Sequence, residues 1–394
     1  MSVILFIFAL ILFVGLIVIH EYGHFVAARR NGVEVEEFGI FFPPAIYKKK
    51  TKAGWVFSIN ALPLGGFVKL KGEHDSDTAK GSYGAATVWV KTKILLAGVT
   101  FNLIIALVFF TLLALMGIPK IIPNQFSVPS DTTTTKQQIF VGYVEPGSPA
   151  DKAGLKKSDQ LVEVQKIGYT PVLIDSANKL PQLTKAFAGD EVKIFYKRDG
   201  YDAHTVVKLR SASEVEASRK TNKPKAYLGV IPNEITTQRS TWSAPVVAVG
   251  LTGQITELTI KGIGQSLKGL GGIIAGTATG NKEARQNGQA DASNEVSGII
   301  GIVYVLKANS SLGIQYMLYI IAIISLTLAI INVLPIPALD GGRLTVMLIS
   351  RALKKPLNAR QEELINLVGF LVLIVLIILV TSVDIRRLMS GFYQ

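Results

Sequence analysis

Between Ser2 and Ile19 the chain carries no charged residue, and a run of that length and apolarity can cross a bilayer as a single helix. Three further blocks of the same kind follow, at about 94–118, 314–334 and 364–383. The apolar residues, 49% of the chain, are therefore concentrated in segments suited to lipid, while the middle of the chain reads as ordinary water-exposed protein. The first block does not read as a cleaved signal peptide. No basic residue precedes it, no small-residue cleavage site follows it, and it runs straight into His20, Glu21 and His24. Basic residues orient the spans. Arg29, Arg30, Lys48, Lys49, Lys50 and Lys52 follow the first span, and Arg343, Arg351, Lys354, Lys355 and Arg360 lie between the third and fourth. Both connections are expected in the cytoplasm, with the termini and residues 119–313 on the other side; Arg386 and Arg387 run against that rule. The formal net charge of +13 is accordingly assigned to lipid headgroups at the membrane surface, and no nucleic-acid partner is expected. The chain has no cysteine, which excludes a disulfide framework, a thiolate metal site and a thiol nucleophile.

The stretch between the second and third spans has three parts. Residues 119–137 are rich in Pro, Ser and Thr and read as a linker. Residues 138–232 alternate short β-type runs with turns, the mark of a small strand-rich domain. From 243 to 297 an amphipathic helix, with Leu251, Ile255, Leu258 and Leu267 on its apolar face, is followed by a polar loop over 281–297. His74 and His204 lie in soluble stretches and read as surface histidines.

The chemistry is concentrated in His20-Glu21-Tyr22-Gly23-His24. Positions i and i+4 share a helix face, so two imidazoles at that spacing can meet one metal ion, and the intervening glutamate can reach a water beside it as general base. Two histidines capping a helix would be the plain alternative, but ionisable side chains directly after an apolar span are costly without a function. Catalytic zinc takes three protein ligands and keeps one position open. The third is expected to be Asp340, in the segment NVLPIPALDGG (332–342) after the third span. Its two prolines break the helix where irregular backbone can line a cavity. As an alternative, Asp340 could simply cap the next helix. Trp55–Gly72 holds β-type runs around a Pro-Leu-Gly-Gly turn and is too short to span as a helix. A hairpin here, 54–72, could offer its edge to an unwound substrate, which needs backbone partners in an apolar place.

The HEYGH and NVLPIPALDGG motifs, in that order and at the ends of their spans, resemble the site-2 protease family of intramembrane metalloproteases, and more closely its bacterial regulator-of-sigma-E protease branch. The resemblance covers essentially the whole chain. It implies a polytopic α-helical membrane protein with four transmembrane helices, a re-entrant β-hairpin and an inserted extracytoplasmic PDZ-like α+β domain. It also implies one Zn2+ per chain held by His20, His24 and Asp340, with Glu21 activating water. Asn102 and Asn332, together with Gly65, Gly66, Phe67 and Val68 of the hairpin, would then hold the substrate backbone. Intramembrane amides more commonly pack helices together. The implied setting is the bacterial inner membrane, with the active site near the cytoplasmic side. The implied substrates are single-span proteins, such as anti-sigma factors or remnant signal peptides, cut in regulated intramembrane proteolysis. Peptide termini could dock on VGYVEPGSPADKAGLKKSDQLVEV, which resembles the family's PDZ domains, and Tyr227–Val230 would either close that domain or form its carboxylate loop. Val99, and Ile299 in SGIIGI (297–302), stand where the family commonly has proline. The competing reading is a membrane scaffold with a structural metal, which would need a fourth protein ligand.

Overall fold

The computed structural model describes residues 2–73, 77–219, 224–283, 287, 299–355 and 357–389. His74, and the expected polar loop apart from 281–283 and 287, lie outside them. The chain divides into two compact units. One comprises Met1–Ile7, Phe110–Gly250 and Leu306–Tyr319, the other Phe8–Phe109, Leu251–Val305 and Ile320–Gln394.

Among the described residues, four helices have the length and composition to cross a membrane. They are α1 (Ser2–Arg30), α2 (Val88–Met116), α8 (Ile314–Val333) and α10 (Ala359–Met389). At 1.5 Å per residue even the 20 residues of α8 reach about 30 Å, the thickness of a hydrocarbon core. Helices of that length and apolarity suit an integral membrane protein. The α2 helix begins several residues before the apolar block, at Val88, so that Lys91 is carried inside the protein, fully buried.

Between α1 and α2, β1 (Val35–Lys50) and β2 (Val56–Leu70) pair antiparallel, yet not as the single hairpin expected over 54–72. Each strand bends and is used twice. Residues 35–40 face 66–70 on one side and run beside 56–59 on the other, while 56–60 also face 45–50. Four short strands result, in the order 45–50, 56–60, 35–40, 66–70. The bends fall at Phe41 (φ 67) and Gly65 (φ 156), and Pro43 and Pro44 lie just past the first of them, where a ladder donor is not needed. Asn60, buried, donates to the carbonyls of Ile40 and Phe41 and so ties that bend to the neighbouring strand.

The strand-rich unit is built on a seven-stranded sheet, order β3-β9-β4-β5-β7-β8 with β6 paired to β5. Its strands are β3 (Ile118–Lys120), β4 (Thr133–Val144), β5 (Gln160–Lys166), β6 (Val172–Leu173), β7 (Glu191–Arg198), β8 (Tyr201–Lys208) and β9 (Val230–Arg239). Short helices α3 (Pro149–Lys152), α4 (Lys179–Ala186) and α5 (Ala212–Arg219) lie between them. Period-two alternation sends Val192, Ile194 and Tyr196 of β7 into the core, where they meet Ile139, Val141, Leu161, Val164 and Leu228. The sheet is thus wider than the stretch 138–232. Residues 119–137, expected as a linker, contain most of β3 and the start of β4, because β9 runs on to Arg239 and gives both a partner. Tyr227–Val230 closes the domain: the carbonyls of Tyr227, Leu228 and Gly229 accept from Arg210, Ala150 and Glu145. His204 lies on exposed β8 beside the Phe195 ring.

The α6 helix (Ala244–Thr279) is continuous through its glycines, and it is followed by α7 (Ile299–Asn309) and, after α8, by α9 (Asp340–Ala352). Leu251 and Ile255 of α6 are buried as expected. Further along the face inverts: Leu258 and Leu267 point outward while Ser266 is buried.

A candidate metal centre

In α1 the helical spacing brings His20 and His24 to one face, with Nε2 atoms 3.2 Å apart. Asp340 arrives from the other end of the sequence, at the first turn of α9. Its Oδ2 lies 3.1 Å from Nε2 of His20 and 3.2 Å from Nε2 of His24. The turn that delivers it is tightly built. Ala338 takes φ 77, and Gly341 and Gly342 lie so close to the carbonyls of Val333 and Ile336 that a Cβ at either would collide. Small residues here let α9 start directly against the broken end of α8.

The three ligand atoms form a nearly equilateral triangle with edges of 3.1–3.2 Å. A tetrahedral ion with ligands at about 2.0–2.1 Å has edges of about 3.3 Å, so these side chains fit a transition metal with a fourth position left over. The surroundings set the imidazoles up for that use. His24 Nδ1–H donates to the Ile94 carbonyl at 2.8 Å, leaving Nε2 with its lone pair toward the cluster. The amide of Asn102 lies 3.3 Å from Nδ1 of His20, and its Oδ1 is buried and unpartnered as placed. An amide turned end for end brings Oδ1 against Nδ1–H and gives His20 the same tautomer.

A cavity of about 440 Å³ opens onto this triangle. His20, Glu21, His24, Gly66, Phe67, Val68, Asn332 and Asp340 all line it. Gly66 approaches Glu21 so closely that a Cβ would meet Glu21 Cγ at 3.0 Å, and Val68 lines the cavity beside it. Asn332 Nδ2 donates to the Leu328 carbonyl one turn back in α8. Gly65 is not among the lining residues; it makes the bend of β2 against the Phe42 ring. Asn102 does not line the cavity either. It is fully buried behind His20, and its carbonyl accepts from Ser325 of α8.

One site residue escaped the sequence reading. Gly98 of α2 faces the histidines, and a Cβ there would lie 2.5 Å from Nε2 of His24 and 2.8 Å from Nε2 of His20. Gly23 answers it from α1, with the Ala97 carbonyl 2.7 Å from where its Cβ would be. The available signal was a glycine inside each of two apolar spans, where close helix approach is its common use.

Two imidazoles and a carboxylate converging beside a further acid, in a polar cavity among apolar helices, define a metal-dependent hydrolase of the membrane. Residues 8–376 match Peptidase family M50, and the chain belongs to that family, the site-2 protease family that its motifs resemble. A protein of Campylobacter jejuni, provisionally named a zinc metalloprotease, is 28% identical over 95% of this chain and 91% of its own length. Relatives of the same provisional name in Clostridium perfringens and Clostridium acetobutylicum are each 30% identical, covering 96% of this chain and 98% and 96% of their own lengths.

Proposed function

We propose that the chain is a zinc endopeptidase of the site-2 type, in the regulator-of-sigma-E branch, cutting single-span membrane proteins within or beside their spans. The observation that carries this reading is the triangle of His20, His24 and Asp340 with Glu21 in the same cavity. The relatives' names supply zinc as the ion. Bound there, zinc would supply Lewis acidity toward water and the substrate carbonyl.

The protein's own groups would do the rest. Glu21 is placed to take the proton of the attacking water and return it to the leaving amine. A helical substrate has no free backbone groups, so it must unwind, and an unwound strand in an apolar place needs partners. The 66–70 strand is the outermost of its four-stranded sheet and lines the cavity beside Glu21. A substrate strand added there would present its carbonyl next to the triangle. Asn332, on the cavity wall, supports the unwound backbone by its amide, while Asn102 orients His20. In this reading the sheet formed by β1 and β2 enters the membrane from the cytoplasmic side, as the basic residues Lys48, Lys49 and Lys50 at its edge suggest. The seven-stranded unit is PDZ-like and extracytoplasmic, a filter for substrates already trimmed outside. Anti-sigma factors and remnant signal peptides are the substrate types that suit such an enzyme.

The test is a Glu21→Gln variant of the full chain, reconstituted with a tagged single-span substrate. It is expected to keep its zinc and lose cleavage by more than about a hundredfold. Retained cleavage would overturn the mechanism, and a fourth protein ligand found on the metal would favour the scaffold reading.

A further inference from the structure

The metal cavity shares three wall residues, Glu73, Tyr83 and Arg343, with a second cavity of about 90 Å³. We propose that Glu73, held by Arg343, is a register stop: it blocks the end of the 66–70 edge and so decides which peptide bond of an added strand meets the metal. The inference rests on the strand-addition reading given above.

The edge is where the argument starts. Val68 and Leu70 both line the cavity. The Leu70 N–H donates to Oε1 of Glu73 at 3.0 Å. Successive positions on one edge of a strand are two residues apart, so Val68 and Leu70 are consecutive positions along the edge beside the cavity. A substrate strand can pair with Val68 as it enters the site. Whether it also reaches Leu70 depends on Glu73.

Glu73 is restrained from two directions. Its Oε2 lies 3.8 Å from Nη2 of Arg343, which stands three residues after Asp340 and so on the neighbouring position of the same helix face. The Arg343 guanidinium also lies 6.0 Å from the ring centre of Tyr83, which is buried and has the ammonium of buried Lys91 at 5.4 Å. The backbone beneath is equally fixed. Tyr83 N–H donates to the Lys71 carbonyl and Gly84 N–H to that of Gly72. Gly72, at φ 57, has no room for a Cβ against Asp77 and Ser82. One set of contacts therefore links the helix that carries Asp340 to the last donor of the edge. The pair is partly exposed on both sides, so it adds little to global stability; its effect is on alignment.

Side chains alternate along a strand, so an added strand can slip only in steps of two residues without turning its faces over. Freeing Leu70 opens one more such step. The test uses the reconstituted full chain, a tagged single-span substrate, mass spectrometry of both products and zinc content. The native chain is expected to cut mainly at one bond. Glu73→Ala and Arg343→Ala are each expected to add products cut two residues away, and to lower kcat/KM at the main bond about fivefold, the effect of a pair contributing about 1 kcal/mol, with zinc unchanged. The exchanged double variant, Glu73→Arg with Arg343→Glu, is expected to broaden the products as Glu73→Ala does, because an arginine cannot accept the Leu70 N–H. Glu73→Asp, which can still accept it, should restore most of the single cleavage position. One cleavage position shared by native and all variants would overturn the register stop alone. So would a rate loss that comes with lost zinc and no shifted product. If the native chain cuts at no defined bond, the underlying strand-addition reading fails and takes this inference with it; if Glu21→Gln cleaves as well as the native chain, the catalytic reading of the site fails first.

Discussion

The two units differ in what they turn outward and in what their buried polar groups do. The strand-rich unit closes around Ile139, Val192, Ile194 and Leu228, all at most 2% exposed. Its buried charged groups are tied down locally: Asp159 takes two hydrogen bonds from Arg198, and Arg210 meets Glu145. The membrane unit turns Ile11, Ile104, Val108, Leu371 and Ile378 outward and keeps His20, His24, Lys91 and Asn102 inside. In water, apolar burial holds a fold together and says little about function. In lipid that driving force is absent between helices, and a polar group is retained where it is needed and satisfied. A buried histidine thus means something different in each unit.

The contrast can be broken by substitution. The largest effect is expected from His24→Ala: loss of the metal, loss of cleavage by more than about a thousandfold, and unchanged melting of the strand-rich unit, followed by circular dichroism beside metal analysis. A smaller effect is expected from Gly98→Ala, whose new methyl would press on both imidazoles. It should weaken metal affinity by about 10–100-fold, measured by competition with a chelator. Ile194→Ala should do the converse. It should destabilise the strand-rich unit by about 2–5 kcal/mol, read from denaturant unfolding of β7 and its neighbours, and leave metal content as it was.

The smallest effect concerns Asp131. The hydroxyls of Ser243 and Thr241 donate to its carboxylate at the start of α6 and hold its pKa down to about 2. Because the folded value lies below the unfolded one, about 3.9, the stabilisation is present above about pH 4 and is lost as pH falls through about 2. Thermal unfolding of the native chain should lose a small increment over that window, and Asp131→Asn should not.

Much of the membrane unit was legible in the sequence for the same reason that its substitutions are costly. An uncharged run followed by HEYGH leaves few alternatives, and the prolines before Asp340 mark where a helix must break. What was not legible depends on contacts between distant segments. Nothing near Pro43 announces that β1 bends and runs on to Lys50, because that strand exists only through its pairing with 56–60. The extra width of the large sheet depends in the same way on β9. Leu258 and Leu267 share one apolar face with Leu251 and Ile255 by spacing, yet they are exposed where those two are buried. Gly98 escaped because a glycine's role lies in what approaches it.

The central claim is that two imidazoles near the start of the chain and one carboxylate near its end share a single zinc ion. X-ray absorption at the zinc edge of the purified full chain, beside its Asp340→Ala variant, tests it most directly. The account predicts about one zinc per native chain with two imidazole nitrogens and oxygen ligands in a four-coordinate shell, and a weakened or absent signal in the variant. Zinc bound equally well and in the same shell without the Asp340 carboxylate would contradict it.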